Sequence, residues 1–166
     1  VYFRYNPIEF WSTDGTDEGT MLVRSFTSFG GLVVALNGWG VFEANGGSAY
    51  RPWVTDGTNP GTQVLAEVYP ALAANATELF FPLGPRLVFL GRTLADGVEL
   101  WATDGTPGGT ERVSDLRPGT VDSAVTNLVA CSGVAYFTSR GLGPGGSEIG
   151  YELWRSDGTI PGTGLV

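Results

Sequence analysis

One twelve-residue pattern occurs four times in this chain, and it limits the possible folds more than any other feature. The segments Glu9–Thr20, Arg51–Thr62, Glu99–Thr110 and Glu152–Thr163 each carry a Trp, a free position, Thr or Ser, then Asp-Gly-Thr, two free positions and a closing Gly-Thr. The tryptophans are Trp11, Trp53, Trp101 and Trp154, so the spacings are 42, 48 and 53 residues. Self-similarity at this period marks an array of like units, none of which can bury its apolar face alone.

Shorter patterns recur between the copies. Ahead of each Trp lies a run containing an aromatic residue: Val1–Tyr5, Gly40–Ala44, Arg86–Leu90 and Val134–Thr138. Ahead of three of these lies another apolar run, at Leu32–Leu36, Glu78–Leu83 and Asn127–Cys131, joined to the next through Asn37-Gly38, Gly84-Pro85 and Ser132-Gly133. Such dipeptides favour tight turns between antiparallel strands. After each Gly-Thr comes a short run: Met21–Arg24, Gln63–Glu67, Glu111–Ser114 and Gly164–Val166. Each unit therefore reads as strands A to D, with the Trp on C and the Asp-Gly-Thr loop joining C to D. No segment sustains a 3.6-residue period, and Pro70–Ala76 is the one stretch that suits a turn of helix.

Four strands per 40–50 residues predict an all-β chain of β-propeller blades. The expected division is 1–24 for a first blade lacking strand A, then 25–67, 68–115 and 116–166, fifteen strands in all. That is a partial propeller or part of a larger ring. The opening residues read as a strand already under way, which predicts a piece of a longer chain or a processed product. No terminal strand is spare to close a ring, so further blades from the same or another chain are expected to complete it.

Composition removes several function classes. All 9 positive charges are Arg, there is no His, and Asp plus Glu total 17, for a net charge of -8. A chain this acidic lacks the basic footprint of nucleic-acid binding. Without His there is no His-dependent triad and no His-ligated zinc. One cysteine, Cys131, excludes an internal disulfide. In the apolar run Leu128–Cys131 it is expected to be a small buried residue. No apolar stretch approaches the ~20 residues of a membrane span. The 26 Gly and 10 Pro resemble low-complexity usage, but 42% hydrophobic content argues for a packed core whose glycines serve tight turns.

The repeated residues have a structural reading and a functional one. Trp11, Trp53, Trp101 and Trp154 are expected to pack between blades, each burying roughly 150–250 Å². Both faces of strand C are expected to be largely buried. In the loops, Asp14, Asp56, Asp104 and Asp157 suit Asx-turns, in which the carboxylate accepts the backbone N–H two residues on. Gly15, Gly57, Gly105 and Gly158 would supply positive φ, and the second glycine of each loop would do so again. The functional alternative makes the four Asp residues calcium ligands. Calcium wants six to eight oxygens, however, and only the first loop adds further acids, Asp17 and Glu18. No cofactor is otherwise implied.

Other candidates carry less. Asp96 and Glu99 are three apart, a spacing open to acid–base work, but Glu99 is a repeat position and Asp96-Gly97 suits a turn. Asn75-Ala76-Thr77 fits a glycosylation sequon. Gly141–Gly146 lacks the strand-loop-helix context of a phosphate cradle and reads as the B–C loop of the last blade. Trp39 is the one Trp outside the motif and, with Tyr50, is a candidate for stacking on a sugar ring.

With these residues in view, the chain resembles the bacterial ELWxxDGT repeat family. Glu99–Thr106 and Glu152–Thr159 match that motif at every defined position, Glu9–Thr16 departs once and Arg51–Thr58 twice. The resemblance covers nearly the whole chain. It implies an exported, extracellular, cell-surface or periplasmic bacterial protein with no assigned chemistry. The expected function is a noncatalytic interaction or adhesion scaffold whose loops, variable in length on a constant frame, bind a protein or glycan partner. The acidic surface suits cationic partners, or partners matched through divalent ions. The alternative is a lectin-like carbohydrate-binding propeller. A polysaccharide-degrading enzyme comes third, since no set of residues breaks the repeat as a catalytic site would.

Overall fold

The computed structural model describes residues 1–6, 8–71, 78–143 and 145–166, with the side chains of residues 4–6 left out. Its described residues form seventeen strands and no helix, arranged as four antiparallel sheets in chain order. The first holds β1 (Tyr2–Asn6), β2 (Glu9–Ser12) and β3 (Met21–Ser25). In the second are β4 (Ser28–Phe29), β5 (Val34–Leu36), β6 (Trp39–Asn45), β7 (Tyr50–Thr55) and β8 (Gln63–Val64). The third comprises β9 (Tyr69–Ala71), β10 (Phe80–Leu83), β11 (Arg86–Arg92), β12 (Glu99–Thr103) and β13 (Glu111–Arg112). The fourth contains β14 (Thr126–Cys131), β15 (Val134–Leu142), β16 (Glu148–Ser156) and β17 (Gly164–Leu165).

This is the expected blade plan, with the first sheet lacking strand A. Strand A is one piece only in the fourth sheet. In the second, β4 and β5 both pair with β6, and in the third β9 and β10 both pair with β11. That split accounts for seventeen strands where fifteen were expected. Pro70 sits inside β9, so the helical turn expected over Pro70–Ala76 does not begin there; residues 72–77, including the Asn75–Thr77 sequon, lie outside the described residues. The Gly141–Gly146 stretch is also partly strand, because β15 runs through Leu142.

Register is set by one cross-strand pair. A strand-B Phe faces the strand-C Trp in every sheet: Phe3 opposite Trp11, Phe42 opposite Trp53, Phe89 opposite Trp101, Phe137 opposite Trp154. Such aromatic pairs stabilise a sheet and fix which face each residue takes. The indole N–H of Trp53, Trp101 and Trp154 donates to the strand-B carbonyl two residues past the facing Phe, at Ala44, Gly91 and Ser139. Trp11 instead donates to the Glu9 carboxylate at 3.4 Å.

Three apolar clusters lie between successive sheets. Phe10, Val23 and Phe26 meet Phe42, Ala44 and Trp53 between the first two. Leu36, Val41, Val54 and Leu65 meet Phe80, Leu87 and Phe89 between the second and third. Val88, Leu100 and Val113 meet Leu128, Phe137 and Trp154 between the last two. Among the described residues β1 pairs with β2 and β17 with β16, and β1 and β17 lie in different sheets. Strand C is less uniformly covered than expected. Trp53 and Trp154 are buried, but Trp11 and Trp101 are half-buried and Glu152 is exposed. Cys131 is exposed rather than buried, because it ends β14 beside the Ser132-Gly133 turn on the outermost sheet.

Candidate functional site

The four Asp-Gly-Thr loops are built alike. Asp14 Oδ1 accepts from the Thr16 amide at 2.9 Å and the Thr16 hydroxyl at 2.8 Å. Asp56, Asp104 and Asp157 do the same with Thr58, Thr106 and Thr159. The residue before each Asp bonds across the loop to its closing Thr, as in Thr55 with Thr62 at 2.6 Å. Gly15, Gly57, Gly105 and Gly158 take φ between 84° and 98°, as the turn requires. The second glycine has another reason. Gly19, Gly61, Gly109 and Gly162 are not at positive φ; a Cβ on any of them would overlap the loop's own Asp carboxyl. Close approach, not backbone handedness, selects glycine there.

The second, third and fourth loops also dock on the preceding sheet. Ser12 Oγ donates to Gly57 O at 3.0 Å, Asn37 Nδ2 to Asp104 O at 3.3 Å and Arg86 Nη1 to Gly158 O at 2.8 Å. The four Asp residues therefore sit in four separate loops, each bonded within its own. Among the described residues, no group of three or more His, Cys, Asp and Glu is placed to hold a metal. Asp56→Ala should cost roughly 1–2 kcal/mol for two lost bonds. Gly61→Ala should cost as much by evicting the same carboxylate; denaturant midpoints of the two variants check this.

The repeat symmetry breaks where strand A is split. The interruptions in the second and third sheets open an apolar cleft of about 610 Å³, lined by Leu32, Val33, Glu43, Leu79, Phe80 and neighbours. Glu43 lies on β6 next to Phe42, where the third sheet has the buried Leu90. Burial alone raises its carboxyl above the ordinary value. Gly30 lies against this carboxyl, and a Cβ there would overlap it. A half-buried acid in an apolar cleft favours a ligand that brings an N–H or O–H donor on an apolar body. Sequence reasoning passed over Glu43; the available signal was an acid within the strand-B run Gly40–Ala44.

The other sequence candidates disperse. Trp39 is half-buried against the cluster of Leu36 and Val41, and Tyr50 is exposed at the start of β7. Asp96 pairs with Arg112 at 2.9 Å, whereas Glu99 turns inward. Its Oε2 accepts from Ser114 Oγ at 2.8 Å and Leu116 N at 3.1 Å, and its Oε1 from Arg117 N at 3.3 Å. Burial raises the Glu99 carboxyl, and these donors only partly offset it. The equivalent positions act differently: Glu9 serves Trp11, and Arg51 pairs with Glu67. No family model matches the chain, and no curated protein or solved structure matches it either.

The ionisable groups set a pH profile. The Thr16 amide, and the hydroxyls of Thr58, Thr106 and Thr159, hold their Asp carboxyls below the ordinary 3.8. Their contribution is present above that value and lost as pH falls through the folded values. Glu43 and Glu99, raised above 4.5, act oppositely: the folded state binds protons more tightly, so stability falls as pH rises past 4.5. Melting temperature should therefore peak between about pH 4 and pH 5. The combined Glu43→Gln and Glu99→Gln variant should flatten the decline towards neutrality.

Proposed function

We propose that this chain is a noncatalytic interaction module of an exported or cell-surface β-propeller, of the kind its likeness to ELWxxDGT repeats suggests. One observation carries the reading. The repeated Trp, Asp, Gly and Thr residues serve register, turns and inter-sheet contacts, while the apolar cleft at Glu43 lies where the repeat is interrupted. Binding surfaces reside where a rigid frame carries variable connections, and a concave apolar cleft with few polar groups, here Glu43 and Glu78, suits recognition. The shift at Glu43 comes from burial.

The test compares immobilised parent protein with Val33→Asp and Leu79→Asp variants against bacterial surface extracts. The parent should enrich a component that both variants lose. Enrichment of nothing above a bare-bead control would remove the proposal. Binding on a glycan array that disappears in Trp39→Ala would replace it with the lectin-like reading, and turnover of a polysaccharide with the enzymatic one.

A further inference from the structure

The cleft at Glu43 joins an acid without a partner to an apolar wall without a cover. Val41 and Glu43 lie two apart on β6 and share the face turned to the third sheet. Val41 is buried there with Phe80 and Leu87, whereas Glu43 stands where the third sheet has the buried Leu90. Among the described residues no hydrogen bond or ion pair reaches the Glu43 carboxylate. Glu99, the other acid raised by burial, accepts from three donors. Glu78 adds a second carboxylate at the exposed rim, and no Arg lines the cleft among the described residues. Leu32, at the same opening, is 80% exposed. This exposure does not come from an end of the chain. The second sheet packs against the first and third, the third packs against the second and fourth, and the cleft lies between these two middle sheets.

The charge of the cleft selects its occupant. A carboxylate in apolar surroundings costs free energy until a cation or several donors reach it. A cation on an apolar body supplies the charge and fills the wall at once. Residues 72–77, next to Glu78 in the chain, read Leu-Ala-Ala-Asn-Ala-Thr and carry no charge, so they do not meet this requirement. A small amine would meet it at Glu43 and leave Leu32 and the rim bare. A polypeptide meets both needs, with a basic side chain inward and its apolar neighbours over the rim.

We propose that the cleft binds a basic side chain of a polypeptide partner, with the cation against Glu43 and flanking apolar residues on Leu32, Val33 and Leu79. This rests on the reading of the cleft as the binding surface of the module and names what that surface recognises. Gly30 fits the same picture: a Cβ there would overlap the Glu43 carboxyl, so the acid keeps its place only beside a glycine.

The test is an NMR titration of the parent chain at neutral pH with acetyl-Leu-Lys-Leu-amide, acetyl-Leu-Gln-Leu-amide and n-butylammonium. The lysine peptide should shift the amides of Gly30, Gly31 and Leu79 and bind about tenfold tighter than either control. In Glu43→Gln it should fall to the level of the glutamine peptide, while Glu78→Gln at the exposed rim should change it by less than about threefold. Equal binding of the two peptides by the parent overturns the proposal in favour of a neutral donor, whether or not the Glu43 variant folds. Butylammonium binding as tightly as the lysine peptide overturns it in favour of a small amine. Shifts with none of the three overturn it and give the cleft to another occupant, residues 72–77 included. Capture from surface extracts separates this from the module itself. A component lost in Val33→Asp and Leu79→Asp but kept in Glu43→Gln leaves the module standing and overturns the cation. Capture of nothing, with the lysine peptide still bound at Gly30, removes the module and supports the preference of the cleft.

Discussion

Trp53→Ala should be among the most destabilising single changes in this chain, lowering stability by about 3–5 kcal/mol. The ring is 5% exposed, with Phe26 against its edge and the Arg24 guanidinium 4.7 Å over its face. Its N–H reaches Ala44 O at 3.0 Å, and Gly46 is bare of side chain where the ring passes. Truncation removes the buried area, strands the carbonyl and opens a void that β-strands on both sides are too stiff to fill. For a chain of this length the loss corresponds to a fall of about 10–15 °C in melting temperature. Trp53→Phe should recover more than half, since it restores the ring and leaves only the hydrogen bond unmade. Trp11→Ala should cost about half as much, because Trp11 is only half-buried. Guanidinium titrations of the three variants check the order, and a Trp53→Ala loss below about 1 kcal/mol would remove the inter-sheet role assigned to the ring.

The sequence made the frame legible because the repeat ties several independent requirements to fixed spacings. Trp, Asp, first Gly and closing Thr each meet a local need in every copy, so register, turn and inter-sheet docking follow from any one of them. The purpose of the second glycine was misread because φ and close approach select the same residue, and only the position of the Asp14 carboxyl against Gly19 separates them. The split of strand A was hidden for another reason. Gly30-Gly31 marks a break, but which residues pair before it depends on the partner strand, and Ser28–Phe29 is too short to show a period. The cleft was illegible because two such breaks must face each other across a sheet interface, a fact of tertiary structure. Cys131 was misplaced by its apolar neighbours; an apolar run states that a strand has an apolar face, not that another sheet covers it.

The repeat's Glu shows how a constant letter can hold different roles, and Glu99 carries the second large effect. Glu99→Ala should cost about 3 kcal/mol. The cause is not the lost carboxylate but the three donors it leaves behind: the Ser114 hydroxyl and the amides of Leu116 and Arg117. Ser114 Oγ also accepts from Leu100 N at 3.0 Å, so its own orientation goes with the carboxylate, and the turn carrying Leu116 over the third cluster loosens. Glu99→Gln should cost less, about 1 kcal/mol, since its carbonyl can serve Ser114 and Leu116 while its amide faces the Arg117 N–H. The two variants separate the hydrogen bonds from the charge. Glu99 is raised above 4.5, so the parent loses stability as pH climbs through that window, and Glu99→Gln has no such loss from this position. Their difference in melting temperature should shrink from pH 4.5 to neutrality, whereas a difference that grows with pH would mean that the ionised form is the one the fold prefers. The equivalent change at Glu152, which is exposed on the fourth sheet, should leave stability within about 0.5 kcal/mol of the parent. A comparable loss at both positions would place the burden on the shared motif instead of on the Ser114–Arg117 turn that Glu99 alone supports.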